Sequence, residues 1–441
     1  MPYDSLVVGG LMPIPLACEP MADVEPLRAL HYDPEKTGGL QDVVAPPYDV
    51  IYTEGRADLI ARSPYNVVEI DLPLPIDGSD PYAHAAAMLD QWRAEGVVIR
   101  DQTQAVWPIE QDYTGPDGLT RTRRGFLARV RVEDYGPGKV RPHERTHPGP
   151  KDDRLRLTRA TRANLSPIFA LYSDPEQQTW TALEGGTRGA PWAQTIDPDG
   201  TVNRIWRVDD ELAIKAVQRA TAGSELLIAD GHHRYETARA YADEIGGEGP
   251  HRYVLMCLVA IEDPGLTVFP THRLLGDLTE EKWRNLRATI ETDFEVAPLD
   301  ELDQLPPDTN DTVDIGYLDT RERRPYRLRL KSQASADTSL AGHAEPYRRL
   351  DTAVTEALLL KGALAMTDDQ IDHLEGLGYA RDAQHATELV LAGTYDVALF
   401  MAPVPVARVR DVAMSGESMP PKSTYFFPKV PTGLLFNPLV D

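Results

Sequence analysis

The chain has 441 residues, more than one hydrophobic core usually organises. Hydrophobic residues make up 42% and charged residues 26%, ordinary values that exclude a disordered or collagen-like chain. With 69 acids against 45 bases the net charge is -24, a balance that disfavours nucleic acid and anionic lipid as general partners.

The N-terminal stretch Leu6 to Cys18 is apolar, but it has no basic residues ahead of it and is broken by Pro13 and Pro15, so it does not read as a signal peptide. Further on, Asp80-Pro81 opens a predicted helix that runs to Glu95, with Ala85, Met88, Leu89 and Trp92 on one face and Gly96 as its stop. Ala105 to Tyr113 and Thr120 to Glu133 flank the turn Gly115-Pro116-Asp117-Gly118. Their alternation predicts a β-hairpin with one buried face.

Residues 121 to 162 hold 13 bases and five acids, a local balance of +8 in an acidic protein. This island is either a solvated strand and helix face or the landing site of a small polyanion such as a nucleoside polyphosphate. It contains Pro142-His143-Glu144-Arg145-Thr146-His147, which matches the zinc-protease string HExxH. That motif works on a helix, and the prolines at 142, 148 and 150 predict a loop instead. Glu144 then reads as a general base or Mg²⁺ partner beside bound phosphates, or as part of a plain surface loop.

After the loop, Asp152 to Ala163 is predicted helical and Ile168 to Tyr172 a strand. A buried strand Leu226 to Ala229 leads into Asp230-Gly231-His232-His233-Arg234 and an amphipathic helix, Tyr235 to Ile245, followed by a second apolar strand to Ile261. Backbone amides at a helix start, a glycine that permits close approach and an arginine fork suit phosphate oxygens; the plain alternative is a polar turn with Asp230 as its N-cap. Cys257 lies in the apolar run and reads as core, and with Cys18 as its only companion there is no disulfide framework. From 275 to 400, helices near 278 to 293, 350 to 363 and 381 to 391 accompany a hairpin around Thr320 to Pro325. The last motif, Met419 to Phe426, brings Lys422, Ser423 and Thr424 after a diproline, suited either to clamping an anion or to packing its aromatics. No GxxxxGK[ST], GxGxxG after a strand or GxSxG is present, against a P-loop kinase, a dinucleotide enzyme and an α/β hydrolase.

Six strings, Ala45 to Ile51, Ser63 to Val68, His143 to Thr146, Ala229 to Thr237, Thr271 to Arg273 and Lys422 to Lys429, resemble the bacterial and archaeal family termed domain of unknown function 1015. A narrower likeness is to the free serine kinases of the ParB/sulfiredoxin-like superfamily, which carry Pro-His-Glu, Asp-Gly-His-His-Arg after a strand, and Pro-Lys-x-Thr in the same order. The resemblance implies an α/β chain of mixed α+β character, with a ParB/sulfiredoxin-like nucleotide-binding core and large elaborations. It also implies a cytoplasmic Mg²⁺-dependent kinase passing a phosphoryl group from ATP or ADP to a free hydroxy amino acid, L-serine first.

Carried over by position, Glu144 and His143 would be catalytic. Asp230, Gly231, His232, His233 and Arg234, with Lys151 and Arg154, would hold the nucleotide phosphates, and Asp230 is the candidate Mg²⁺ ligand. Lys422, Ser423, Thr424, Asn66 and His272 would contact the acceptor. Where basic residues able to hold an amino-acid carboxylate are expected, this chain has Tyr425-Phe426. The expected divisions are 1–135, 136–275 and 276–441, the last closing over the site. Two other readings are a nucleotide-gated ParB-like binding protein and a metal-dependent hydrolase using His143, His147 or the His232/Glu236 pair.

Overall fold

A computed structural model describes residues 21–51, 53–75, 78–144, 148–308 and 312–440. The apolar stretch through Cys18, and Arg145 to His147 of the HExxH string, lie outside them. Helices and strands alternate in a mixed α/β architecture, as expected.

Among the described residues, nine strands form the larger sheet. Its order is Val140–Arg141, Leu226–Asp230, Ile168–Tyr172, Tyr253–Ala260, Thr120–Arg131, Trp107–Thr114, Val202–Ile205 and Ala193–Ile196, with Val24–Glu25 against Thr120–Arg131. The predicted hairpin is present, pairing Trp107↔Leu127 through Thr114↔Thr120. It lies inside the sheet and not at an edge, so both its faces are covered. Leu127 packs with Trp107, Phe169 and Cys257 on one side, and Phe126 and Ala128 pack with Ile228 and Met256 on the other. Because Thr120–Arg131 pairs with Tyr253–Ala260 along its length, the expected division at 135 cuts through this sheet.

A second sheet of six strands has the order Phe294–Pro298, Tyr326–Leu330, Asp314–Asp319, Val397–Phe400, His272–Leu275 and Leu377–Ala380. Its first strand in the chain follows the large sheet after a short excursion, Thr267–Phe269. That excursion pairs with Tyr425–Phe427 from the C-terminus. The C-terminal segment therefore returns across the junction of the two sheets. It is anchored by reciprocal backbone bonds between Leu30 and Phe436 and by burial of Leu434, Leu435 and Phe436.

Local chemistry explains the element ends. Asp80 caps the helix Pro81–Ala94 by accepting from Tyr82 N–H, and Ala85, Leu89 and Trp92 are buried. The helix expected from Asp152 instead begins at Pro148, because prolines in a first turn lack only N–H groups that have no helical partner there. Likewise the helix after the Asp-Gly-His-His-Arg string is His232–Ile245, three residues longer than expected. Gly231 is its N-cap at φ 96°, with no side-chain cap. No described helix is long and apolar enough to cross a membrane.

Candidate functional site

Three segments far apart in sequence meet at the C-terminal end of the strand Leu226–Asp230. His143 is the hinge of the meeting. It is 1% exposed, its Nδ1 lies 2.6 Å from Ile228 O and its Nε2 lies 2.8 Å from Thr424 Oγ1. A carbonyl accepts only, so Nδ1 carries the proton and Nε2 accepts from the threonine hydroxyl. Burial pushes the imidazole below its ordinary range, so it stays neutral. With both ring nitrogens bonded, His143 ties the strand end to Thr424.

The backbone N–H of His143 donates to His232 Nε2 at 3.3 Å, which leaves the His232 proton on Nδ1. Burial, with His143 alongside, holds His232 neutral as well. Met419 N–H donates to His143 O at 2.7 Å, aligning Glu144 with Met419 as a parallel bridge. Lys422 N–H then donates to Glu144 Oε1 at 3.1 Å. Lys422 itself is left-handed at φ 56° and exposed, so its peptide N–H, not its ammonium, grips the carboxylate. Ser423 is turned inward, donating to Pro420 O and accepting from the Thr352 hydroxyl.

Asp230 ties the loop to the C-terminus. Oδ2 accepts from Arg234 at 2.7 Å and Oδ1 from Lys429 Nζ at 2.6 Å. Burial alone would raise this carboxyl, but Lys429 and Arg234 hold it well below the usual carboxylate range. Both oxygens face cations, so Asp230 does not fit the expected Mg²⁺-ligand role. Among the described residues no group of three or more His, Cys, Asp or Glu side chains is placed to hold a metal.

Arg234 also donates to Ser166 Oγ at 2.7 Å and to Pro167 O, while its Nε is buried with no hydrogen-bond partner. It lines a narrow crevice with Ser166, Thr237, Tyr48, Asp71 and Arg154. A Cβ at position 231 would stand 2.9 Å from Arg234 Nε, so glycine is required there for space as well as for φ. Arg154 lies over the Tyr48 ring at 4.3 Å and donates to Asp71 O at 2.6 Å. It is thus a walled-in component of the crevice. Lys151 pairs with Glu236 at 2.5 Å, which also takes Glu236 from the expected His232/Glu236 pair. His233 is half-buried in the first turn of the helix.

Two expected substrate contacts are placed elsewhere. Asn66 is fully buried; its Nδ2 donates to Asp42 O and Val44 O, and its Oδ1 accepts from Val68 N–H. It clamps its own loop. His272 accepts from Met401 N–H at 3.2 Å, and burial pushes it down to about 4. Neighbouring residues of a strand point to opposite faces, so Arg273, one position on, is the side chain turned toward the site. Its Nη2 donates to Pro421 O at 3.3 Å.

Five bases of the +8 island are neutralised by ion pairs. Arg124, Arg129, Arg131, Arg141 and Arg159 bind Glu110, Glu25, Glu248, Glu225 and Glu244 respectively. Arg123 is the buried exception. It donates to Gln111 Oε1 and lies over Phe169 at 4.5 Å. Gln111 passes the linkage on to Lys429 O at 3.1 Å, so Arg123 helps fix the lysine that meets Asp230. Lys429 and Arg273, both missed as site residues, sit inside strings the sequence had singled out; only the fold shows where they point.

A family profile described as protein of unknown function (DUF1015) matches residues 24–353. The chain belongs to the DUF1015 family. No curated protein matches the sequence. Among solved structures, this DUF1015 chain is similar to a conserved hypothetical protein from Pyrococcus furiosus, at 13% identity over 67% of this chain and 92% of that one, TM-score 0.34. It is also similar to a free serine kinase in complex with AMP, at 12% identity over 67% and 88%, TM-score 0.35. A third is SbnI with C-terminal truncation from Staphylococcus aureus, at 13% over 71% and 87%, TM-score 0.37. Likenesses this distant add nothing to the reading of the DUF1015 site, which rests on its own residues.

Proposed function

We propose that this protein is a small-molecule kinase with a ParB/sulfiredoxin-like nucleotide-binding core, moving a phosphoryl group from Mg·ATP or Mg·ADP to a free hydroxy amino acid, L-serine first. The carrying observation is the convergence of Glu144, the Asp230–Arg234 loop and the Lys422–Thr424 segment through direct hydrogen bonds. These are the three landmarks whose order in the sequence resembles the free serine kinases.

Phosphoryl transfer proceeds through a loose transition state, so alignment and charge neutralisation account for most of the catalysis. The first turn of His232–Ile245, the His232 Nδ1–H and Arg234 supply donors to the phosphates. Lys429 adds positive charge at the same strand end. Mg²⁺ enters with the nucleotide as part of the substrate, because Asp230 does not fit a resident ion. With Oε1 fixed by Lys422 N–H, Glu144 offers Oε2 to the acceptor hydroxyl. The acceptor oxygen bonds to phosphorus, the bridging P–O bond of the nucleotide breaks, and the hydroxyl proton passes to Glu144. A positioned base of this kind contributes about 10²- to 10⁴-fold. Phosphorus NMR of purified protein with Mg·nucleotide and L-serine tests the reading: a phosphomonoester resonance is expected, and unchanged nucleotide contradicts it.

A further inference from the structure

We propose that Arg273 holds the carboxylate of the phosphoryl acceptor. The inference rests on the kinase reading and assigns its acceptor subsite. Arg273 is 3% exposed, and among the described residues it makes no ion pair. Its guanidinium donates only to carbonyls, Thr271 O and Pro421 O, and it packs against the face of Tyr379 at 5.5 Å, its cross-strand partner. Burial pulls the guanidinium down from its ordinary range, while Tyr379, Glu356 and Glu144 act the other way from a distance. Glu356 is itself bonded to Lys361 at 2.8 Å. A buried cation without a touching anion is costly, and a ligand carboxylate would relieve that cost.

The geometry bounds the distance from Arg273 to the base. Arg273 Nη2 is 3.3 Å from Pro421 O, and Glu144 Oε1 is 3.1 Å from Lys422 N. That oxygen and nitrogen belong to one peptide unit and lie about 2.3 Å apart. The guanidinium is therefore within about 9 Å of the Glu144 carboxylate. Arg273 and Glu144 stand on opposite sides of one peptide unit, near enough for a small acceptor to reach both with its two ends. Arg273 thus supplies, from the second sheet, the cation that Tyr425-Phe426 do not.

The test compares L-serine with L-serinamide, which keeps the hydroxyl and lacks the carboxylate, on wild type and Arg273→Gln. Loss of a charge-assisted contact predicts a drop in wild-type kcat/KM of about 10- to 150-fold for serinamide. Arg273→Gln should raise the KM for serine by a similar factor, lose the preference and leave the KM for nucleotide unchanged. Equal use of both acceptors by the wild type overturns the proposal without any appeal to the variant's folding, and leaves the kinase reading standing. If neither acceptor is phosphorylated the kinase reading fails. Calorimetric titration of L-serine into wild type with ADP then decides for Arg273: binding lost in a folded Arg273→Gln, checked by circular dichroism, supports it, and no binding overturns it.

Discussion

Lys422 donates its backbone N–H to Glu144 Oε1 across 278 positions of sequence. One carboxylate oxygen is thereby held by the C-terminal segment, and the same segment carries Thr424 to His143 and Lys429 to Asp230. Glu144 is aimed by a backbone group, so its orientation does not depend on which side chain stands at 422.

That arrangement separates binding from chemistry. Glu144→Gln keeps an acceptor for Lys422 N–H but removes the base. Turnover should fall by about 10²- to 10⁴-fold, while nucleotide affinity measured by calorimetry stays within a factor of a few. An unchanged rate in the glutamine variant would remove Glu144 from the mechanism.

Gly231→Ala probes the loop backbone. Alanine at φ 96° is strained, and its Cβ meets Arg234 Nε at 2.9 Å. The strain alone costs about 1–3 kcal/mol, and moving Arg234 should weaken nucleotide binding at least tenfold. Urea denaturation and nucleotide titration read the two effects separately; a variant matching wild type in both would contradict the loop geometry.

Lys429→Met leaves Asp230 with Arg234 as its remaining cation. A loss of about 1–3 kcal/mol in stability is expected. Asp230→Asn should cost less in this variant than in wild type, since Lys429 is no longer there to lose its partner. Strict additivity in urea unfolding would mean that the pair is not coupled.

Acid sensitivity gives a signed check on the buried histidines. His272 is lowered to about 4 by burial and by the charge of Arg273, so below 6.5 the unfolded chain binds a proton that the folded chain does not. Its contribution is intact above 6.5 and is lost as pH falls toward 4. Wild type should therefore lose stability relative to His272→Gln by up to about 1.4 kcal/mol per pH unit across that window. Groups common to both proteins cancel in the difference, and a pH-independent difference would contradict the burial of a neutral His272.

Where structure is local, the residues announce it. Asp80-Pro81 and Gly96 bracket their helix, and the Gly115 to Gly118 turn sets the register of its hairpin. The three motifs are legible because each is a short string. Pairing between distant segments is not. Arg131 and Glu248 find each other only through the fold, so bases that look like a positive island in sequence are neutralised in space. Two one-residue distinctions also escaped. His272 faces Met401 while Arg273 faces the site, and Ser423 points inward while Thr424 meets His143. The strand's alternation is readable, but which side is occupied depends on strands more than 100 residues away.

Phosphoryl transfer is the activity proposed for the converged site. Its most direct measurement is phosphorus NMR of the purified protein with L-serine and, in separate samples, Mg·ATP and Mg·ADP, run beside Glu144→Gln. A phosphoserine resonance growing in step with nucleotide consumption is expected in one of the two wild-type samples, and its absence with Glu144→Gln. Intact nucleotide and no phosphoserine in either wild-type sample would contradict it.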